Sequence, residues 1–476
     1  MLFNSLGYLY LVIIAMLVYY ARPFRKAQVF VLIASSFYFY AYNTPLLLAL
    51  LVFSTLLFAF FSYTARHNFK INRSVFLIAG VTTALGILTL FKYGPLLAKT
   101  FIFPLTGDKN GIASFIMAVP LPIGISFFTF EGISLIVDSF RNRDSREKAF
   151  EAIEPGFANH LRNTAFFISF FPHLIAGPII KAHQFFPQIG EKYFKNINWG
   201  YAFRTLILGY FLKMVVADNL KDQTFWIAYP YFTSHSSFSL LSMLYGYSIQ
   251  IFADFAGYSL IALGTASLFG YTLPVNFNFP YIARSFSDFW QRWHISLSTW
   301  LKTYLYIPIG GNKKGVLRTY FNIMTVMFVG GLWHGAAWSY AVWGIWHGLM
   351  LILERFFGGN NSSSQRGTLS SVLRVSFVFS AVTVSWLFFK LPEFGHVLLY
   401  FKNIATNFNY QSNPGIIINI FLYSLPVVFY HAWYLLKSQP AIANFYRRFE
   451  FIPYGIMLFF ILTNSGSSDE FIYFQF

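Results

Sequence analysis

The chain is built from long apolar blocks with almost no charge inside them, and this limits its fold more than any other feature. Ser5–Ala21 and Leu46–Phe61 are two examples, and similar blocks recur along the sequence. A helix needs about 20 apolar residues to cross a hydrocarbon core about 30 Å thick. Lipid offers the backbone no hydrogen-bond partners, so only helices or a closed barrel can span it. Barrel strands alternate apolar and polar residues, whereas these blocks are continuous, which favours helices. Charged residues make up 11% of the 476 and hydrophobic ones 56%. Soluble domains are about a quarter charged, and a water-soluble chain of this size could not cover its surface with so few charges. The expectation is an all-α, polytopic membrane protein.

Candidate spans fall at about 5–21, 27–43, 45–64, 75–92, 114–138, 162–180, 201–217, 238–270, 320–336, 338–356, 370–390, 415–436 and 452–464. That gives about 11–13 transmembrane or re-entrant helices. The net charge is +17, from 34 Lys+Arg against 17 Asp+Glu. No basic recognition element stands apart from the apolar blocks, so no nucleic-acid partner is expected. The charge instead fits basic loops on the cytoplasmic side. Arg22–Lys26, Arg66–Arg73 and Arg141–Lys148 share one side if the early spans alternate, which puts the N-terminus outside. Residues 5–21 have no basic segment before them and no small-residue cleavage pattern, so they read as a retained span. With no cysteine, thiolate catalysis, disulfides and Cys-ligated metals are excluded. No His-x-x-x-His and no Glu beside a His pair appears, so no metal is expected. No Walker loop, GxGxxG or Gly-x-Ser-x-Gly elbow appears, so nucleotide hydrolysis and a soluble-type serine hydrolase find no support. No repeat of fixed period stands out, which disfavours solenoids and inverted-repeat transporters.

Two segments do not read as simple spans. Phe170–Pro187 holds three prolines and a Gly-Pro pair, which break a helix. Broken backbone at membrane depth is tolerated only against protein or a watery cavity. In Pro280–Leu317, Phe286, Trp290, Trp293, Leu297, Trp300 and Tyr304 recur at helical spacing among basic residues. That predicts an amphipathic cytoplasmic helix ending near Pro308-Ile-Gly-Gly. Phe357–Gly367 reads as a polar linker.

Ionisable groups at membrane depth are costly and mark function by default. His334, in Gly330-Gly-Leu-Trp-His-Gly-Ala-Ala, lies between two apolar spans. Its small neighbours would let a substrate or another backbone approach the imidazole. A neutral imidazole there can act as a base. His347 repeats the pattern in Trp346-His-Gly. On one continuous helix it would face elsewhere, and it reads as structural. His294, in Arg292-Trp-His-Ile-Ser-Leu-Ser, borders the apolar stripe of the amphipathic helix. It could face a cytoplasmic entrance or simply pack at the headgroup boundary. Glu131, Asp138 and Asp254 are rare carboxylates inside apolar blocks. Asp254 either lines a cavity or belongs to a buried ion pair, the latter weighing more.

Several stretches together resemble a known superfamily. Phe289-Trp-Gln-Arg-Trp-His-Ile-Ser-Leu-Ser-Thr-Trp, Tyr304-Leu-Tyr-Ile-Pro-Ile-Gly-Gly-Asn-Lys-Lys-Gly and Gly331-Leu-Trp-His-Gly-Ala are similar to motifs of the membrane-bound O-acyltransferases. The closer resemblance is to the bacterial alginate O-acetylation-like branch. Pro122-Ile-Gly-Ile-Ser-Phe-Phe-Thr-Phe-Glu-Gly-Ile-Ser, Phe171-Pro-His-Leu-Ile-Ala-Gly-Pro and the closing Phe471-Ile-Tyr-Phe-Gln-Phe also fit. The resemblance implies one integral-membrane domain over residues 1–476 with a central funnel or tunnel. The amphipathic region falls at about 283–318. The resemblance also implies His334 as the catalytic residue and His294 as the second functional position. Trp333, Gly335, Asp254, Arg292, Trp293 and Ser298 become candidate substrate-binding residues.

It further implies an enzyme of the bacterial cytoplasmic (inner) membrane, surrounded by membrane lipid. The enzyme would move an acyl group, foremost acetyl, from a cytoplasmic donor to an extracytoplasmic polysaccharide acceptor. The donor would be a thioester, acetyl-CoA or an acyl carrier protein, used as substrate with no resident cofactor. An SGNH-type acyltransferase outside would complete the transfer. One motif departs from the branch. Asp254-Phe-Ala-Gly-Tyr-Ser is followed by Leu260 where the alginate branch usually has Asp. This variant is closer to the branch that transfers D-alanine from a carrier protein to teichoic acid. D-alanyl transfer is therefore an alternative, and a transporter or flippase without chemistry is a second.

Overall fold

The computed structural model describes residues 1–67, 72–106, 111–141, 156–175, 177–358 and 368–467. Half of the loop Arg66–Arg73, most of the loop Arg141–Lys148, most of the polar linker and the closing Phe471–Phe476 motif lie outside the described residues. Among the described residues every regular element is a helix. Seven helices are long and apolar enough to cross a membrane: Pro45–Arg66, Arg73–Leu105, Trp199–Ile227, Ser237–Leu268, Val316–His334, Leu369–Lys390 and Pro414–Leu436. An eighth candidate is the pair Leu6–Tyr20 and Arg22–Ala41, bent by 100°. The bend falls where Pro23 opens a short 3-10 turn, as the missing N–H and fixed φ of proline require. Phe157–Ser169 and Phe451–Thr463 are helices of 13 residues each, shorter than a full crossing, and Ile125–Arg141 has 17 among the described residues.

The chain forms two compact units, residues 1–206 with 261–274, and residues 207–260 with 275–476. In the first unit, Ile125–Arg141 is buried along nearly its whole length. Gly132 lets Phe58 of Pro45–Arg66 lie directly against it, where a Cβ would meet the ring. Its two acids explain the proline-broken segment. The helix Phe157–Ser169 stops before Phe170, and the described backbone of 170–175 and 177–181 is irregular. Glu131 accepts from Ile180 N at 3.2 Å and lies 3.3 Å from His173 Nδ1. Asp138 lies 3.3 Å from His183 Nδ1. A carboxylate thus supplies a partner that helix geometry no longer gives to a buried backbone N–H. These acids, with His173 and His183, tie down broken backbone.

In the second unit, Lys213 sits in a π-helical turn, Phe211–Ala217. Its ammonium bridges Asp218 and Asp254, the latter at 3.0 Å. Asp254 therefore belongs to a buried ion pair, the reading that weighed more.

Candidate active site

The site grows from a helical hairpin in the second unit. Val316–His334 ends at His334, Gly335–Ala337 turn the chain, and Trp338–Phe356 runs back. Glycines allow the two helices to touch. A Cβ on Gly331 would strike the carbonyl of Tyr340, one on Gly344 the carbonyl of Met327, and one on Gly335 the ring of Tyr340. The small residues around His334 therefore admit backbone and the Tyr340 ring, and Gly335 has no room beside it for substrate. The turn also removes the continuous helix on which His334 and His347 would face apart. Both rings instead contact Trp343, at centroid distances of 5.1 and 4.7 Å. His347 is buried with Nε2 3.0 Å from Ser385 Oγ, a structural placement.

His334 is buried, 3% exposed, inside a box of rings. Trp333, Trp343 and Phe389 stand at 5.0, 5.1 and 5.3 Å, and the ring of His294 at 6.2 Å. His294 is also fully buried. Phe255 meets it edge-on at 4.7 Å, and Trp333 lies at 5.7 Å. The predicted continuous amphipathic helix is broken at this point. Phe286–Arg292 and Ile295–Leu301 are separate helices, and His294 between them has φ 45, in the left-handed region. That conformation costs a non-glycine residue about 1–2 kcal/mol, and such strain concentrates where geometry serves function. The periodicity failed to show the break because Trp293, Leu297 and Trp300 are buried on both sides of it. Their apolar spacing continues while the backbone does not.

A strap following Ser237–Leu268 holds the break. Asn276 O accepts from Ile295 N at 3.0 Å, and Asn278 N donates to Arg292 O at 2.9 Å. The Asn276 side chain reaches Ser296 and His294. Burial pulls the His294 pKa down to about 3, so its imidazole is neutral under physiological conditions.

A cavity of about 340 Å³ leads to His334. His334, Trp343, Gly330, Leu297, Leu301 and Met327 form its buried lining. Gln291, Lys302 and Arg355 are exposed on its lining. Glu354 also lines it, but its carboxylate accepts from Phe286 N and Ser287 N at the start of Phe286–Arg292. The exposed lining thus carries two cations, and the acid is engaged by backbone. A pocket lined by exposed cations and by a buried imidazole can seat an anionic, elongated molecule with its reacting end in an apolar place.

Of the substrate-binding candidates, Ser298 lines this cavity. Trp333 packs against both histidines. Trp293 lies in the core, stacked on Phe289 at 5.6 Å. Arg292 pairs with Asp288 at 2.6 Å and faces the Tyr434 ring. Gly335 and Asp254 are engaged as described above. Five of the six thus pack or pair within the protein and one, Ser298, lines the cavity, a difference that motif position alone does not show. Reasoning from sequence missed Trp290, Lys302, Trp343, Glu354 and Arg355 on the cavity and Asn276 behind His294. The rim charges were visible only as membrane-flanking basics. Asn276 carried no signal, since its partners are 18 and 20 residues away.

These features define a multipass membrane protein of helices in which two buried histidines, His294 and His334, lie side by side and one of them, His334, lines a cavity. The chain belongs to the membrane-bound O-acyltransferase (MBOAT) family, whose model matches residues 32–391. It is 34% identical over 406 residues to "Probable alginate O-acetylase AlgI" of Pseudomonas putida, covering 82% of this chain and 77% of that protein. It is 30% identical over 431 residues to "Peptidoglycan O-acetyltransferase" of Helicobacter pylori, covering 83% and 80%. It is 29% identical over 294 residues to "Teichoic acid D-alanyltransferase" of Bacillus subtilis, covering 58% and 70%. The protein is a membrane O-acyltransferase, which replaces the transporter alternative.

Proposed function

We propose that this enzyme moves an acetyl group from a cytoplasmic thioester across the bacterial cytoplasmic membrane toward an extracytoplasmic polysaccharide. The observation that carries this reading is the cavity that runs from Lys302 and Arg355 to His334. The two cations suit the phosphates of a donor such as acetyl-CoA or of a carrier protein's phosphopantetheine. The pantetheine arm fits an apolar shaft, and the thioester arrives at the imidazole.

His334 takes the proton of an attacking hydroxyl. The oxygen bonds to the thioester carbonyl carbon, the carbon–sulfur bond breaks, and the thiolate leaves and recovers that proton from the imidazolium. His294, beside it, helps orient the donor. An SGNH-type partner outside completes delivery to the polymer. No resident cofactor or metal enters this scheme.

D-alanyl transfer remains the second reading, favoured by Leu260 in the Asp254 motif and by the D-alanyltransferase similarity. Feeding cells labelled acetate and labelled D-alanine, with and without this protein, separates the two. Protein-dependent acetyl ester on extracellular polysaccharide supports the proposal. Protein-dependent D-alanyl ester overturns it.

A further inference from the structure

Asn276 takes no part in the reaction proposed above, yet its side-chain oxygen gathers three contacts at the base of His294. Ser296 N donates to Oδ1 at 3.3 Å and Ser296 Oγ at 2.9 Å, while His294 Nδ1 lies 3.2 Å away. Asn276 is itself buried, and Nδ2 donates to Ser259 Oγ at 3.3 Å. A backbone N–H can only donate, so the atom facing Ser296 N must be the oxygen, and the amide cannot be flipped. The oxygen has no proton to give. The hydrogen between it and His294 therefore sits on Nδ1, and a neutral ring then has its lone pair on Nε2.

We infer that Asn276 is a positioning residue that fixes His294 as the Nδ1–H tautomer, leaving Nε2 as the nitrogen able to accept a proton or hydrogen bond at the site. This rests on reading His294 as a working group of the acyl-transfer site. The same strap holds the ring's unusual backbone, through Asn276 O and Ile295 N. His334 is a titratable group packed against His294, and the rings of Phe255 and Trp333 cover it from other elements. Asn276→Asp keeps the acceptor in place but adds a negative charge at Nδ1, which favours the imidazolium.

The test is solid-state nitrogen NMR on full-length protein labelled at histidine, in lipid bilayers. The His294 signals are those lost in His294→Gln. The expected result is a protonated Nδ1 and an unprotonated Nε2 near neutral pH in the wild type. In Asn276→Asp the titration midpoint of that ring rises by about 1–3 pH units. A wild-type ring protonated at Nε2, or an unmoved midpoint in a folded Asn276→Asp protein, overturns the inference while leaving the acyl-transfer reading intact. Full acyl transfer by His294→Ala would instead remove the positioning role together with that reading of His294, whatever the tautomer.

Discussion

At the scale of residues, the two histidines were legible and most of their company was not. An ionisable side chain among apolar residues announces itself, because burial without purpose is costly. What the sequence could not display is which partner satisfies it. Asp254 shows this. Its motif suggested substrate, and its contact with Lys213 at 3.0 Å, beside Asp218, makes it structural. Removing one member of a buried ion group leaves charge uncompensated. Lys213→Met should therefore cost about 3–5 kcal/mol, measured as a large drop in thermal stability in detergent. Lys213→Met combined with Asp218→Asn and Asp254→Asn should recover much of that loss. Equal stability of Lys213→Met and wild type would return Asp254 to the list of substrate-facing groups.

At the scale of elements, apolar periodicity located helices well and their interruptions poorly. Prolines flagged the break after Ser169, and the structure places irregular backbone there. No proline or glycine flags the break at His294, where a left-handed residue is held by the Asn276 side chain, 18 residues upstream, and by the Asn276 carbonyl, which accepts from Ile295 N. The turn after His334 was blurred for a different reason, since its glycines read equally as space for substrate or for a neighbouring helix. Contact between Val316–His334 and Trp338–Phe356 settled that question. Gly344→Val would drive a side chain into the carbonyl of Met327, and backbone cannot yield as a flexible side chain does. Overpacking of this kind costs about 1–3 kcal/mol or more, so melting temperature and acyl transfer should fall together, because Trp343 and Gly330 line the cavity. Gly395→Ala, where a Cβ meets nothing within 4 Å, should leave both unchanged or raise stability slightly.

At the scale of the whole molecule, composition alone was enough to identify a polytopic helical membrane protein. Several expected spans proved to be short or bent helices. A count based on apolar blocks does not distinguish a full crossing from a shorter helix. The surplus of positive charge was read as orientation, and two of those charges, Lys302 and Arg355, also stand at the cavity. Charge-assisted contacts to a phosphate are worth about 1.5–3 kcal/mol. Lys302→Glu with Arg355→Glu should raise KM for acetyl-CoA by about tenfold or more, with a smaller change in kcat and a flatter dependence on salt.

The most direct measurement of the central claim, that the cavity ending at His334 performs acyl transfer, uses full-length protein in lipid bilayers. Thiol release from acetyl-CoA is followed in the wild type and in His334→Ala, with melting temperature and protein amount matched. General-base catalysis contributes about 10²–10⁴-fold, so His334→Ala should lose at least about a hundredfold in rate. Wild-type turnover in His334→Ala would contradict the account.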